Sequence, residues 1–186
     1  MSKRFSLWII LAAIMLTGAA GCASHNAAPP TAEAAAAPVP AINPPATAYQ
    51  GGFQGIGCGS PPSADMKLAR TAGDIKFYTR QGEPLGVGSA HLKQPTLYRF
   101  WQNQFEGAML QTSGAQNDLA MLGYFQSIIG PGKLQDPAAN RRVWSDPTLV
   151  VIYEQIPNAT QDASVVVGCR AVQEKHQAAV TASQGH

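Results

Sequence analysis

The chain has 186 residues, of which 13 are basic and 11 acidic, and its formal net charge at pH 7 is +2. Lys3 and Arg4 precede Cys22 and every acidic residue follows it, so the chain from Cys22 onward carries 11 basic and 11 acidic residues. Arg141 and Arg142 form the only basic doublet in that part. This balance argues against the basic surface on which nucleic-acid binding rests, and against a polybasic membrane anchor.

The start of the chain has the layout of a secretory signal. Lys3 and Arg4 form a positive start, and residues 5–16 form an apolar run that is followed by mostly small residues. A secretory signal has an apolar stretch of about 7–15 residues before a small-residue cleavage site. The run is too short for an ordinary spanning helix, which needs about 20 apolar residues. We therefore predict a signal peptide over residues 1–21.

Residues 19–22, Ala-Ala-Gly-Cys, resemble the lipobox of bacterial lipoproteins, with alanine at the place where leucine is most usual. The resemblance implies that Cys22 becomes the mature N-terminus and carries a diacylglyceryl thioether and an N-acyl chain such as palmitate. Several acyl chains hold firmly in a bilayer, because each buried CH₂ contributes about 0.8 kcal/mol. Ala23 stands where an aspartate tends to retain such proteins in the inner membrane, so in a Gram-negative envelope the resemblance implies the outer membrane, facing the periplasm. The alternative is an ordinary secretory signal followed by an unrelated cysteine.

Residues 22–56 form the predicted tether. Alanine and proline dominate it as far as about residue 47, and a glycine-rich stretch follows. Repeated prolines fix φ and remove hydrogen-bond donors, so we expect a disordered, extended spacer without a core. Its extended limit is roughly 75 Å at about 3.1 Å per residue. The spacer could lift a domain toward peptidoglycan or a partner, or it could be a tether with no required length.

Cys58 and Cys169 are the two cysteines that follow Cys22. In an oxidising compartment such a pair in a small domain usually forms a disulfide, which would stabilise the fold by about 4–5 kcal/mol in the chain-entropy model. A metal pair and two free thiols are the alternatives. The sequence has no Cys-x-x-Cys and no histidine close to either cysteine, which favours the disulfide.

A small domain is predicted over residues 57–175. Its first half contains an alternating strand over residues 74–80 and a possible partner strand over residues 85–88. Apolar residues at helical spacing predict one helix over residues 96–111 and a second over residues 118–129.

The second half of the domain is predicted to be a hairpin. The β-branched run at residues 148–153 is long enough for a strand that is buried on both faces, and residues 164–172 form its partner. Residues 176–186 are a polar tail. The order of elements predicts an α+β fold, a small antiparallel sheet with two helices on one face.

Catalytic and metal-binding patterns are weak in this sequence. The histidines do not cluster at ligand spacing, so we predict no metal and no cofactor. Ser89 and His91 are neighbours on a possible strand, but the Gly-x-Ser-x-Gly motif of serine hydrolases is missing and no acid accompanies them. We therefore predict that the protein is not an enzyme.

Arg99, Phe100 and Trp101 form an aromatic stretch that has two interpretations. On the predicted helix Phe100 would lie toward solvent, and exposed aromatics beside an arginine are common anchors of protein interfaces. The alternative is that both rings belong to the core of a small domain.

The leading functional interpretation is a non-catalytic accessory or scaffold subunit of an envelope assembly of the transport, secretion or conjugation type. Its predicted partners are the lipid bilayer, through Cys22, and other envelope proteins, with no nucleic acid. The alternative is a periplasmic module that binds a small molecule or peptidoglycan in a pocket lined by aromatics such as Tyr98, Trp101 and Tyr153. The sequence does not identify a ligand.

Overall fold

The computed structural model describes residues 51–184, and these residues form twelve strands and two helices. In chain order the elements are β1 (Gly52–Phe53), β2 (Ile56–Gly57), β3 (Met66–Ala72), β4 (Ile75–Arg80), β5 (Gly86–Val87), β6 (Ala90–His91), β7 (Leu97–Trp101), β8 (Gln104–Thr112), α1 (Ala115–Ile129), β9 (Lys133–Asp136), β10 (Arg141–Ser145), β11 (Leu149–Ile156), β12 (Asp162–Cys169) and α2 (Arg170–Gln184). The predicted signal peptide, Cys22 and the tether up to residue 50 lie outside the described residues.

One eight-stranded sheet dominates the fold, in the order β3-β4-β7-β8-β12-β11-β10-β9. Every neighbouring pair in it is antiparallel. Strands β1 and β2 form a separate ladder, and so do β5 and β6. The α+β class and the antiparallel sheet agree with the prediction, but the sheet is larger than the small one we expected and strands dominate.

The helix predicted over residues 96–111 is wrong, because this segment is the hairpin of β7 and β8. The turn between them is Gln102–Asn103, in which both residues have positive φ, 46° and 65°. Two positive φ values are typical of the two-residue hairpin turn that matches the twist of paired strands. The apolar spacing in this stretch fits a helix, but its aromatic residues favour a strand, and pairing in the sheet decides the outcome.

The first predicted hairpin is only half right. The strand predicted over residues 74–80 is present as β4, but its neighbours are β3 and β7. The stretch predicted as its partner contributes β5, which pairs instead with β6. Strand β3 was not predicted, because most of its side chains are exposed and it carries little apolar pattern.

The second hairpin and the helix before it are confirmed. Strands β11 and β12 pair without a register shift from Leu149 with Cys169 to Ile156 with Asp162. The predicted helix over residues 118–129 is α1, which ends at Ile129 with Gly130 as its C-cap. Strand β12 is shorter than predicted, because the chain turns into α2 directly after Cys169.

The sheet has two faces, which we call the α1 face and the α2 face after the helix on each. Helix α1 packs against one face of the sheet. There its Asp118 accepts a hydrogen bond from Tyr153, and the ring of its Phe125 lies 6.2 Å from that of Trp144. Helix α2 packs on the other side of the sheet. The prediction of two helices on one face is therefore wrong, because one of the two predicted helices is the β7–β8 hairpin and α2, which was not predicted as one of them, lies on the other face.

The main core lies on the α1 face. Its largest fully buried side chains from the sheet are Tyr98, Phe100, Phe105, Leu110, Tyr153, Val165 and Val167. The β1–β2 and β5–β6 ladders add Phe53 and Val87 to the same cluster. Because Phe53 is fully buried, the folded domain begins before residue 57, where we had predicted its boundary.

Cys58 and Cys169 form the predicted disulfide. It joins residues 111 positions apart in sequence, just after β2 and at the end of β12. The predicted polar tail begins inside α2, which continues to Gln184. Between residues 51 and 184, neither helix is long and apolar enough to cross a membrane.

Candidate functional site

The aromatic pair predicted as an interface is buried. Phe100 is 1% exposed and Trp101 is 4% exposed, so neither ring is available to a partner. Phe100 points into the core of the α1 face, where its ring centroid lies 5.5 Å from that of Phe105. Trp101 is the next residue of the strand and therefore lies on the α2 face. The core interpretation of these residues is the one that the structure supports.

The α2 face holds a buried carboxylate, Glu106, which is 2% exposed. Strand β8 has a bulge opposite Arg99 and Phe100, and Glu106 is its extra residue. One carboxylate oxygen accepts a hydrogen bond from Arg99 Nη2 at 3.0 Å, and the other lies 2.8 Å from His176 Nδ1. Both oxygens of Glu106 are thus engaged, which a buried charge requires.

His176 fixes α2 to the sheet. Its ring stacks on Trp101, with the ring centroids 5.0 Å apart and the planes at 20°. Its Nε2 atom lies 3.5 Å from Asp74 Oδ1, and the indole N–H of Trp101 donates to the other oxygen of Asp74 at 2.5 Å. A histidine beside a glutamate is a familiar catalytic pairing, but here both groups join α2 to the sheet.

Five apolar side chains cross the α2 face in one row, and none of them is fully buried. They are matched residue by residue across five adjacent strands. We call this set the apolar row: Leu97, Met109, Val166, Ile152 and Val143. Each of the five is half-buried. The row lies two residues along β12 from Gly168, against which the side chain of Gln173 of α2 packs.

The apolar row is unusual for the outer face of an antiparallel sheet. Such a sheet commonly buries one face and places polar residues on the other. Strand β11 instead carries Val150 and Ile152 on its outer side, between the buried Leu149, Val151 and Tyr153. The continuous apolar run had predicted burial on both faces, and the described residues provide it on one face only.

A cleft of about 300 Å³ opens beside the β5–β6 ladder, on the side of the α1 face. Pro84, Val87 and Tyr124 form its apolar wall. Gln54, Arg80 and Glu83 supply its polar groups. A concave apolar site with a few convergent polar groups is the usual form of a small-molecule site.

Glu83 supplies the carboxyl group of the cleft. Burial raises its pKa, although a hydrogen bond from Tyr98 and the charge of Arg80 oppose the shift. The Tyr98 hydroxyl lies between Gln54 Oε1 and Glu83 Oε1 and can donate its one proton to either. Burial and the neighbouring Glu83 together raise the pKa of Tyr98, so the phenol stays protonated.

Arg80 is held at the edge of the cleft by other groups. Its Nε atom lies 3.0 Å from Asp65 Oδ2, and its Nη1 donates to the backbone carbonyl of Gln54 at 3.1 Å. The guanidinium carbon also lies 5.4 Å from the centre of the Tyr98 ring. Arg80 therefore forms its ion pair with Asp65.

The three aromatics predicted to line a pocket do not form one. Tyr98 and Tyr153 are fully buried on the α1 face, and Trp101 lies on the α2 face. The cleft uses only the hydroxyl of Tyr98 and was missed because Glu83 lies in what the sequence presents as a simple turn. A glutamate beside a proline between two strands gives no signal of burial.

Ser89 and His91 are both exposed, in and beside the short β5–β6 turn. The backbone N–H of His91 donates to Asn117 Oδ1 at 3.1 Å. No group of three or more His, Cys, Asp or Glu side chains in residues 51–184 is arranged so that it could hold a metal ion.

The chain matches no protein-family model, and no curated protein or solved structure is significantly similar to it.

Proposed function

We propose that the protein is a lipid-anchored, non-catalytic scaffold or accessory subunit of a bacterial envelope assembly of the transport, secretion or conjugation type. The apolar row is the observation that carries the proposal. Cys22 supplies the anchor, and its sequence context favours the outer membrane, with the domain in the periplasm. The disulfide between Cys58 and Cys169 is in keeping with an oxidising compartment.

The apolar row has the chemistry of an interface centre. Fully burying a Val, Leu, Ile or Met side chain contributes roughly 1.5–3 kcal/mol, so five half-buried ones leave several kcal/mol ungained. A stable interface buries about 800 Å² on each partner and is apolar at its centre and polar at its rim. The row supplies the centre, and the ionic groups beside it supply the rim.

The occupant that we propose for the apolar row is a second copy of the chain. Arg141 and Glu154 border the row on β10 and β11 and form an ion pair at 3.3 Å, with both side chains well exposed. Two opposite charges side by side are self-complementary under a two-fold axis, because Arg141 of one copy can meet Glu154 of the other. The equal numbers of basic and acidic residues after Cys22 add no net repulsion.

Site-specific photo-cross-linking of the full-length lipoprotein in its native envelope tests this proposal. A photoreactive residue replaces Ile152 in the apolar row or, as the matched control, Lys67 on the exposed face of edge strand β3. We expect an adduct of twice the mass of the chain from position 152, none from position 67, and loss of the adduct when Val166→Glu is added.

Two outcomes would overturn the proposal in different ways. A discrete adduct with another envelope protein at position 152 would keep the scaffold function and exclude the second copy as occupant. Absence of any adduct at position 152, or equal adducts at both positions, would show that the row is not a docking surface. A melting curve of the Val166→Glu variant confirms that the domain remains folded.

A further inference from the structure

The carboxylate of Glu83 is only half satisfied. Its Oε1 atom accepts from Tyr98, but its Oε2 atom is buried without a hydrogen-bond partner among the described residues. Leaving a buried acceptor unpaired is unfavourable by about 1–3 kcal/mol, and by more for a charged group. Such an atom in a cleft indicates where a donor from outside the chain would bind.

The charge of Glu83 is also uncompensated. Arg80 is the nearby cation, but its contacts go to Asp65 and to the carbonyl of Gln54. Its attraction is too weak to prevent burial from raising the pKa of Glu83. A ligand that carries both a hydrogen-bond donor and a positive charge would therefore satisfy the unpaired Oε2 oxygen and balance the carboxylate.

The apolar wall of the cleft favours a ligand whose remaining part is apolar. Pro84, Val87 and Tyr124 line the cleft together with the polar groups. Gly88 keeps Tyr124 in place: a Cβ there would lie 2.5 Å from Cδ2 of the tyrosine, and its φ of +57° also favours glycine. An aromatic face near a carboxylate suits an organic cation, because the ring attracts positive charge and the carboxylate pairs with it.

We propose that this cleft binds a small primary amine, with its ammonium group on Glu83 and its apolar body against Pro84, Val87 and Tyr124. The volume of about 300 Å³ is at the lower end for ligand sites and admits one compact molecule. The cleft opens on the side of the α1 face, whereas the apolar row lies on the α2 face. Ligand binding is thus a property beyond the scaffold function and independent of it.

Titration of the full-length protein in mild detergent with phenethylamine tests the proposal, followed by calorimetry or NMR chemical shifts. The neutral 2-phenylethanol is the matched probe, because it keeps the apolar body and lacks the charge. We expect saturable binding of the amine, with at least about tenfold weaker binding of the alcohol, as expected for a charged hydrogen bond.

Variants at Glu83 complete the test. Glu83→Gln keeps the shape and removes the charge, and should weaken amine binding about tenfold or more, whereas Glu83→Asp should retain part of it. Glu174→Gln, an exposed carboxylate on α2, should bind like the wild type. Equal binding of amine and alcohol, or amine binding that survives Glu83→Gln, would overturn the proposal, as would failure of phenethylamine to bind the folded wild type. Ile152→Glu should leave amine binding unchanged, which separates this test from that of the scaffold function.

Discussion

The two faces of the sheet hold their helices by different interactions. The α1 face is closed by packed apolar side chains from α1 and from the two small ladders. The α2 face is held at one end by Glu106, Arg99 and His176, and its apolar row stays half-buried. A closely packed interface requires side chains to fill the space between the helix and the sheet along its whole length. An ionic attachment requires only a few donor and acceptor atoms to lie at hydrogen-bonding distance. The α2 face can therefore hold its helix and still leave part of its surface open.

The sharpest test of this contrast compares Phe125→Ala on the α1 face with Ile152→Ala in the apolar row. Phe125 is fully buried, so its truncation should lower the free energy of unfolding by about 3–5 kcal/mol. Ile152 is half-buried, and its truncation should lower the free energy of unfolding by about 1 kcal/mol. Urea unfolding of both variants measures the difference. Equal losses would mean that both faces are packed alike.

The second test addresses the attachment of α2. Glu106→Gln keeps an acceptor but leaves the charge of Arg99 without its partner, so we expect the free energy of unfolding to fall by about 2 kcal/mol. This expected loss is smaller than the loss for a fully buried ion pair, because the side chains of Arg99 and His176 are 20% and 14% exposed. Glu174→Gln on the exposed side of α2 is the control and should change the free energy of unfolding little. A loss no larger than that of the control would show that α2 does not depend on the ionic cluster.

The smallest expected effect is a pH dependence at the cleft. Because burial raises the pKa of Glu83 in the folded state, its contribution to stability is greatest below its unfolded pKa of about 4.5 and is lost as the pH rises through the folded value. Glu83→Gln should remove this decline, so the variant gains on the wild type as the pH rises above about 4.5. Unfolding measured from pH 4 to pH 8 reports the change, and parallel curves would contradict it.

The pH dependence of stability that Asp162 contributes should have the opposite sign to that of Glu83. A hydrogen bond from Lys93, aided by Thr160 and Ser113, holds the pKa of Asp162 well below its usual range. Its contribution is present above the unfolded pKa of about 3.8 and is lost as the pH falls toward the folded value. Asp162→Asn should therefore flatten the stability curve on the acid side only, where Glu83→Gln has no effect.

The sequence predicted best those elements whose pattern has one interpretation. The run at residues 148–153 is too rich in β-branched residues for a helix, and the following turn leads directly to its partner, so β11 and β12 were recognisable. Helix α1 carries its own stop in the glycines after residue 129. Residues 96–111 failed because a short apolar stretch fits both periods, and the sheet that decides between them is assembled from distant strands.

The candidate site was harder to predict than the fold. The disulfide followed from counting cysteines in a chain that is predicted to be exported, and the structure contains it. The apolar row depends on the register of five strands, which a single sequence does not reveal, although the outward Val150 and Ile152 were a signal of it. Burial of Glu83 and Glu106 arises from a ladder and a β-bulge that have no local signature.

The disulfide determines how the domain would respond to pulling from its N-terminal side. Tension that reaches the chain at Gly51 passes β1 and β2 and arrives at Cys58, where a covalent bond transfers it to the end of β12. The 110 residues between the two cysteines are then bypassed, so the sheet is not peeled apart strand by strand from that side. A domain tethered to a membrane and docked to a partner would carry its mechanical load through this one bond.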